Sequence, residues 1–230
     1  MDEVKNSLDR IAAATDRLLA TAGTLSDAQM REPSLLPGWT RGHVLTHIAR
    51  NADGLGNLLR WARTGTEIPM YASAEARNAD VEAGAGRSAA DLAAEVPALS
   101  GDAWTVLVRA LHGPPFPALG VLERRLSEVE IHHVDLSAGY APGDWPEDFL
   151  IEALPRVATS FAGRAGAPRC VVRPEGAKDS FRIGPEQGGA PLVTIDGRAA
   201  DVLAWLTGRD GGTRLTVAGG GAPPVLPPWR

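Results

Sequence analysis

The chain has 230 residues, of which 44% are hydrophobic and 22% charged, with a formal net charge of −5. This describes one large globular domain or two modest ones, either able to bury a core. The negative balance and the lack of any Lys/Arg run exclude a polyanion-binding surface, and the single cysteine, Cys170, excludes an internal disulfide framework.

The first segment, MDEVKNSLDRIAAATDRLLATAG, is acidic from its second residue and has no basic stretch ahead of an uninterrupted apolar run. It reads as a helix over 3–22, not as a signal peptide. A second helix is expected over 40–63, where Val44, Leu45, Ile48, Leu55, Leu58 and Leu59 recur at helical spacing behind Thr40 as cap. The stretch 64–87, TGTEIPMYASAEARNADVEAGAGR, is too long for a simple connection and reads as an ordered loop of the kind that carries function. A third helix is expected over 88–112, opened by a capping box of Ser88 and Asp91 and kinked or split at Pro97. The fourth runs over 117–138 and ends at Gly139. Four striped helices suggest a bundle, in which metal sites form between facing helices.

Near residue 142 the pattern becomes mixed. A helix is expected over 146–164, with Pro146 in its first turn and Leu150, Leu154, Val157 and Phe161 following at helical spacing. Four strand-like runs come next, RCVVR, SFRI, PLVTI and RLTVA, with a helix in DGRAADVLAWLTGR before the last of them, ending near Gly208. The tail AGGGAPPVLPPWR reads as surface loop. The expected fold class is therefore α+β, with a helical bundle over 1–142 and a smaller α+β domain over 143–230. No membrane span is read, and the cytoplasm is the default expectation.

Chemistry concentrates in the bundle. Glu128 and His132 are four apart in GVLERRLSEVEIHHVDLSAG, so on a helix they leave one face and can close on one ion. His47, on the second predicted helix, can enter from a facing direction. Two imidazoles and one carboxylate with a fourth position open match a catalytic zinc site, whereas structural zinc takes four protein ligands, often with cysteines. His43, four residues before His47, is an alternative ligand on spacing alone. Glu130 and His133 form a competing pair, but His133 falls on the stripe of Leu122, Leu126 and Val129 and is better explained by packing. Two readings of Asp135 stand, a carboxylate that orients a ligand imidazole or a solvated acid at a helix end. Cys170 reads as a small buried hydrophobe.

GWTRGHVLTHIARN and SEVEIHHVDL resemble the DinB-like metal-binding bundle family, and NLLRWARTGTEIPMYASAEARN is similar to its mycothiol-dependent maleylpyruvate isomerase branch. The helix end AWLTGR and the Pro-rich, Trp-containing C-terminus extend the likeness to nearly the whole chain. What the resemblance implies is an N-terminal DinB-like four-helix bundle that holds Zn2+ or another divalent metal through His47, Glu128 and His132, leaving His43 as a cap or a support behind the ligands. It implies mycothiol as thiol cofactor and brings Arg209 of the second domain to the active site. Arg77 is expected in a catalytic and cofactor-binding role, with Tyr71 and Asn78 also binding cofactor. Without the resemblance, Arg77 reads as a loop ion pair and Arg209 as a cation at a helix C-terminus. The implied activity is conversion of maleylpyruvate to fumarylpyruvate in gentisate degradation, by addition of a thiolate to the cis alkene, rotation and elimination. A mycothiol S-transferase on the same scaffold and a non-catalytic metal-binding or regulatory module are the alternatives. The expected partners are a small dicarboxylate and mycothiol, with no nucleic acid and no membrane, on a monomer.

Overall fold

A computed structural model of the chain describes residues 2–86, 104–111, 113–186 and 192–229. The fold is α+β, and the chain divides into two compact units, Met1–Tyr140 and Ala141–Arg230.

The first unit is helical. Helix α1 (Asp2–Gly23) buries Ile11, Ala14, Leu18 and Ala22, a stripe at intervals of three and four that gives it one apolar face. A single turn, α2 (Asp27–Met30), is held by a capping box between Ser26 and Gln29 and buries Met30. Helix α3 (Arg41–Thr64) starts at a second capping box, in which Thr40 Oγ1 accepts the His43 N–H and His43 Nδ1 accepts the Thr40 N–H at 3.1 Å. It buries Val44, Leu45, Ile48, Leu55, Leu58 and Leu59, and ends where Gly65 turns left-handed.

Within the segment expected as a loop, the structure has a helix, α4 (Ala74–Gly84), capped by Ser73, whose hydroxyl accepts the Ala76 N–H at 3.1 Å. Only Val81 and Gly84 of it are buried, so there is no apolar stripe for periodicity to detect. It lies against α3 at two glycines: a Cβ on Gly42 would collide with the Ala85 carbonyl oxygen, and one on Gly84 with the Thr46 side chain.

The expected third helix falls mostly outside the described residues, Ser88, Asp91 and Pro97 included. Its last part is not helical. Leu107–Val108 (β1) pairs antiparallel with Phe116–Pro117 (β2), in the register Leu107↔Pro117 and Val108↔Phe116. The β-branched Thr105, Val106 and Val108 favour strand there. Helix α5 (Gly120–Asp135) is shorter than expected, because Pro117 belongs to β2 and the chain turns away at Ser137 and Gly139, both with positive φ. It packs against both α1 and α3.

In the second unit, a 3-10 turn at Pro142–Asp144 leads into α6 (Glu147–Thr159), which buries Phe149, Ala153, Leu154 and Val157. The helix ends five residues before the expected 164, as Phe161 and Ala162 bond back three residues and Gly163 turns left-handed. Strands β3 (Cys170–Pro174), β4 (Phe181–Ile183), β5 (Val193–Gly197) and β6 (Thr216–Val217) form one sheet in the order β4-β3-β5-β6. Only β3 and β5 are parallel. Helix α7 (Ala199–Thr207), between β5 and β6 in the chain, packs on α6 and on β3 and β5, and closes at Gly208. Among the described residues no helix is long and apolar enough to cross a membrane.

Candidate metal centre

Helices α3 and α5 bring three donors together. His47 Nε2 lies 3.0 Å from Glu128 Oε2 and 3.2 Å from His132 Nε2, and His132 Nε2 lies 3.3 Å from Glu128 Oε2. The pair on α5 is set by its spacing of four. His47 reaches it because α3 presents the side chain from its buried face, next to Val44 and Ile48. Among the described residues this is the group of His, Cys, Asp and Glu side chains placed to hold a metal ion. A tetrahedral ion with bonds of about 2.0–2.1 Å keeps its ligand atoms about 3.3–3.4 Å apart. The triangle of donors therefore fits such an ion after opening slightly.

The surroundings favour that use. Asp135, which is fully buried, accepts the Nδ1–H of His132 at 2.7 Å, leaving the Nε2 lone pair directed at the centre. The solvated-acid reading of Asp135 is thereby excluded. Burial pushes His47 down to about 4, against the pull of Glu128, so its imidazole is neutral at pH 7. Burial also acts to lower His132, but Asp135 and Glu128 outweigh it and hold this imidazole above its usual value. The Glu128 carboxyl would rise through burial; hydrogen bonds to His132 and His47 win and keep it well below the usual carboxylate range. With both imidazoles neutral, the set carries one negative charge and leaves a bound dication one positive charge.

Around the triad, Arg77 of α4 places Nη2 2.9 Å from His47 Nδ1 and donates from Nη1 to Asn78 Oδ1 at 2.9 Å. Trp39 sits edge-on to His47 with ring centres 5.6 Å apart and lies under the Arg77 guanidinium. Tyr71, pushed up to about 12 chiefly by burial, stays a protonated phenol and is hydrogen-bonded with Arg77 and Asn51. Thus His47, Glu128, His132, Arg77, Tyr71 and Asn78 gather in the first unit. Arg209 belongs to the second unit, just past Gly208, where its guanidinium donates to the Thr207 carbonyl at 2.6 Å.

Other polar residues have structural partners. His43 closes the α3 capping box and meets Glu82 at 3.2 Å. Glu130 is buried and accepts from Arg17 and Tyr140 at 2.5 Å each, while His133 stacks on Tyr140 and bonds Thr21. Three residues beside the site carried no role in the sequence reading. Trp39 lay within a noted motif. Asn51 and Arg125, joined at 3.3 Å, are polar positions on otherwise apolar helix faces. Arg125 is almost wholly buried, donates to the Ile48 carbonyl at 2.8 Å, and is lowered by burial to about 10.

Fold and triad together define a helical bundle with a candidate metal site, followed by a small α+β unit. Residues 11–137 match the model of the mycothiol maleylpyruvate isomerase N-terminal domain, and residues 144–228 match that family's C-terminal domain. The chain belongs to the mycothiol maleylpyruvate isomerase family. Two solved structures are similar over nearly the full length of both molecules. One is described as the mycothiol-dependent maleylpyruvate isomerase, with 31% identity and a TM-score of 0.86, covering 98% of this chain and 97% of that one. The other is a histidine-to-alanine mutant under the same description, with 30% identity, a TM-score of 0.86 and the same coverages. Among curated proteins there is no match.

Proposed function

We propose that this chain is a mycothiol-dependent cis–trans isomerase that converts maleylpyruvate to fumarylpyruvate, using zinc or another divalent ion held by His47, Glu128 and His132. The observation that carries the reading is the triangle of three donor atoms, all within 4.8 Å of one another, in a chain of this family. When bound there, the ion would lower the pKa of a thiol at its open position.

The chain's own residues divide the remaining work. Asp135 fixes the His132 ring so that Nε2 faces the ion. Arg77, beside the triad, has the planar fork suited to a carboxylate of substrate or cofactor. Tyr71 remains a hydrogen-bond donor near neutral pH, and with Asn78 it is assigned to the cofactor. Arg209 is assigned to a second substrate carboxylate and to the charge that develops during the reaction. Cys170 is an unsuitable nucleophile: it is fully buried, and burial pushes its thiol up to about 11. The thiol therefore comes from outside the chain.

The test is an assay of maleylpyruvate isomerisation with mycothiol present, absent, or replaced by glutathione. Turnover is expected with mycothiol, and it should persist in Cys170→Ser but vanish in His132→Ala together with the metal. Conversion without added thiol that disappears in Cys170→Ser would overturn the reading. Consumption of mycothiol into a stable adduct, with no trans product, would identify a transferase instead.

A further inference from the structure

The chain has two tyrosines, and they are held in opposite ways. Tyr140 donates its hydroxyl proton to the buried Glu130 carboxylate at 2.5 Å. Tyr71 is hydrogen-bonded with Arg77 and Asn51. Arg77 is a guanidinium and has no acceptor to offer. Asn51 is made a donor by its other neighbour. Arg125 Nη1 lies 3.3 Å from the Asn51 amide, and because a guanidinium only donates, the atom it meets is Oδ1. Arg125 is in turn fixed by the Ile48 carbonyl at 2.8 Å and is only 1% exposed, so the amide is locked. This leaves Nδ2 of Asn51 for Tyr71. Burial raises the Tyr71 phenol and so does the Glu128 charge, while the bonds with Arg77 and Asn51 act to lower it, as donors to its oxygen do. With its oxygen accepting from both sides, Tyr71 gives its own proton to neither of them.

The ring itself is held in place. It packs on α3 at Gly54, where an added Cβ would come within 3.1 Å of Tyr71 Cε1 and 3.0 Å of Met70, so only glycine lets the phenol lie this close. The charge of Glu128 reaches Tyr71, and Arg77 joins it to His47, which sets the hydroxyl beside the triad. Arg125 is a costly side chain to place in a core for packing alone, since its Nη2 is buried with no hydrogen-bond partner among the described residues. We propose that Asn51, its amide locked by Arg125, is a positioning residue that turns the Tyr71 proton outward, making Tyr71 a fixed hydrogen-bond donor to an electron-rich oxygen or sulfur of the ligand bound at the triad.

The nature of the ligand rests on the isomerase reading above, whereas the orientation of Tyr71 does not, and the experiment keeps the two apart. Tyrosine 13Cζ spectra are recorded on the full chain supplied with zinc at neutral pH, Tyr140→Phe assigning the two signals. In wild type the Tyr71 signal is expected upfield of Tyr140, whose proton goes to a carboxylate. Asn51→Asp keeps the shape and the hold on Arg125 but can only accept, so the Tyr71 proton should turn to it and its signal move towards that of Tyr140. Mycothiol affinity and turnover of maleylpyruvate are then compared in Asn51→Asp, Tyr71→Phe and the double variant, at equal zinc content. A fall in mycothiol affinity of roughly tenfold or more would place the acceptor on the thiol cofactor. A fall in kcat of roughly a hundredfold at unchanged mycothiol affinity would place it on the substrate oxygen that gains charge. In either case the double variant should be no worse than Tyr71→Phe, because Asn51 acts through Tyr71. A wild-type Tyr71 signal coincident with Tyr140 would overturn the proposal, as would an Asn51→Asp protein with wild-type affinity and turnover, or losses that multiply in the double variant. A wild type that neither binds mycothiol nor isomerises maleylpyruvate would instead overturn the functional reading, and the wild-type tyrosine spectrum then decides the orientation of Tyr71 by itself.

Discussion

Asp135 is where one side chain decides the most. It buries its carboxylate completely at the last turn of α5 and receives the Nδ1–H of His132 at 2.7 Å. Asp135→Asn preserves the shape but removes the charge, and zinc affinity should fall about 10–100-fold, as it does when a carboxylate behind a ligand histidine is lost. Chelator competition measures this; unchanged affinity would leave the carboxylate with a packing role only. The pH dependence has a definite sign. Asp135 and Glu128 hold the His132 proton more tightly than free imidazole does, so on acidification protons compete with metal from above the ordinary value of 6.5. Wild-type protein should release zinc as pH falls through that region.

At this scale the two candidate donors on α5 were legible because helical period brings Glu128 and His132 to one face, whereas the choice of His47 over His43 came from the family resemblance. Asn51 and Arg125 were not. A polar residue inside an apolar stripe discloses its purpose only when the facing helix is known, and here the link between them runs from α3 to α5. The capping role of His43, by contrast, needs only the four residues Thr40 to His43.

Among the elements, α4 is the one that sequence periodicity missed. Its residues, ASAEARNADVEAG, are polar or small, and its place is set by a Ser73 cap and by close contact with α3 at Gly42 and Gly84. Strong stripes made α1 and α3 readable to within a residue, while the β1–β2 pair, two residues a side, is too short for alternation to register. Two glycines of α3, Gly42 and Gly56, make the close contact testable. Gly→Ala inside a helix ordinarily stabilises by up to about 1 kcal/mol. Gly56, with nothing near its missing Cβ, should follow that rule as Gly56→Ala. Gly42→Ala should destabilise by about 1–3 kcal/mol, since the Ala85 carbonyl is backbone and must move. Urea denaturation of the two variants gives opposite shifts of midpoint if the packing of α4 on α3 is as described.

Across the whole molecule, the chain is assembled as two units with separate cores, and every proposed metal ligand lies in the first. An ion bound by His47 on one side and by Glu128 and His132 on the other joins α3 to α5 and stabilises only the folded arrangement. At one hundred times the dissociation constant this amounts to about 2.7 kcal/mol. Hydrogen exchange with and without zinc should therefore slow in the buried amides of α3 and α5, and a lack of slowing in α3 would mean that His47 is not joined to the metal. The order of the units along the chain has a further effect. Domains made on the ribosome fold from the N-terminus onward, and Tyr140 ends the first unit before any strand from β3 to β6 has been translated. A nascent chain thus owns all three proposed metal donors before the second unit is made, and an ion held by them would serve as a template for the bundle during synthesis.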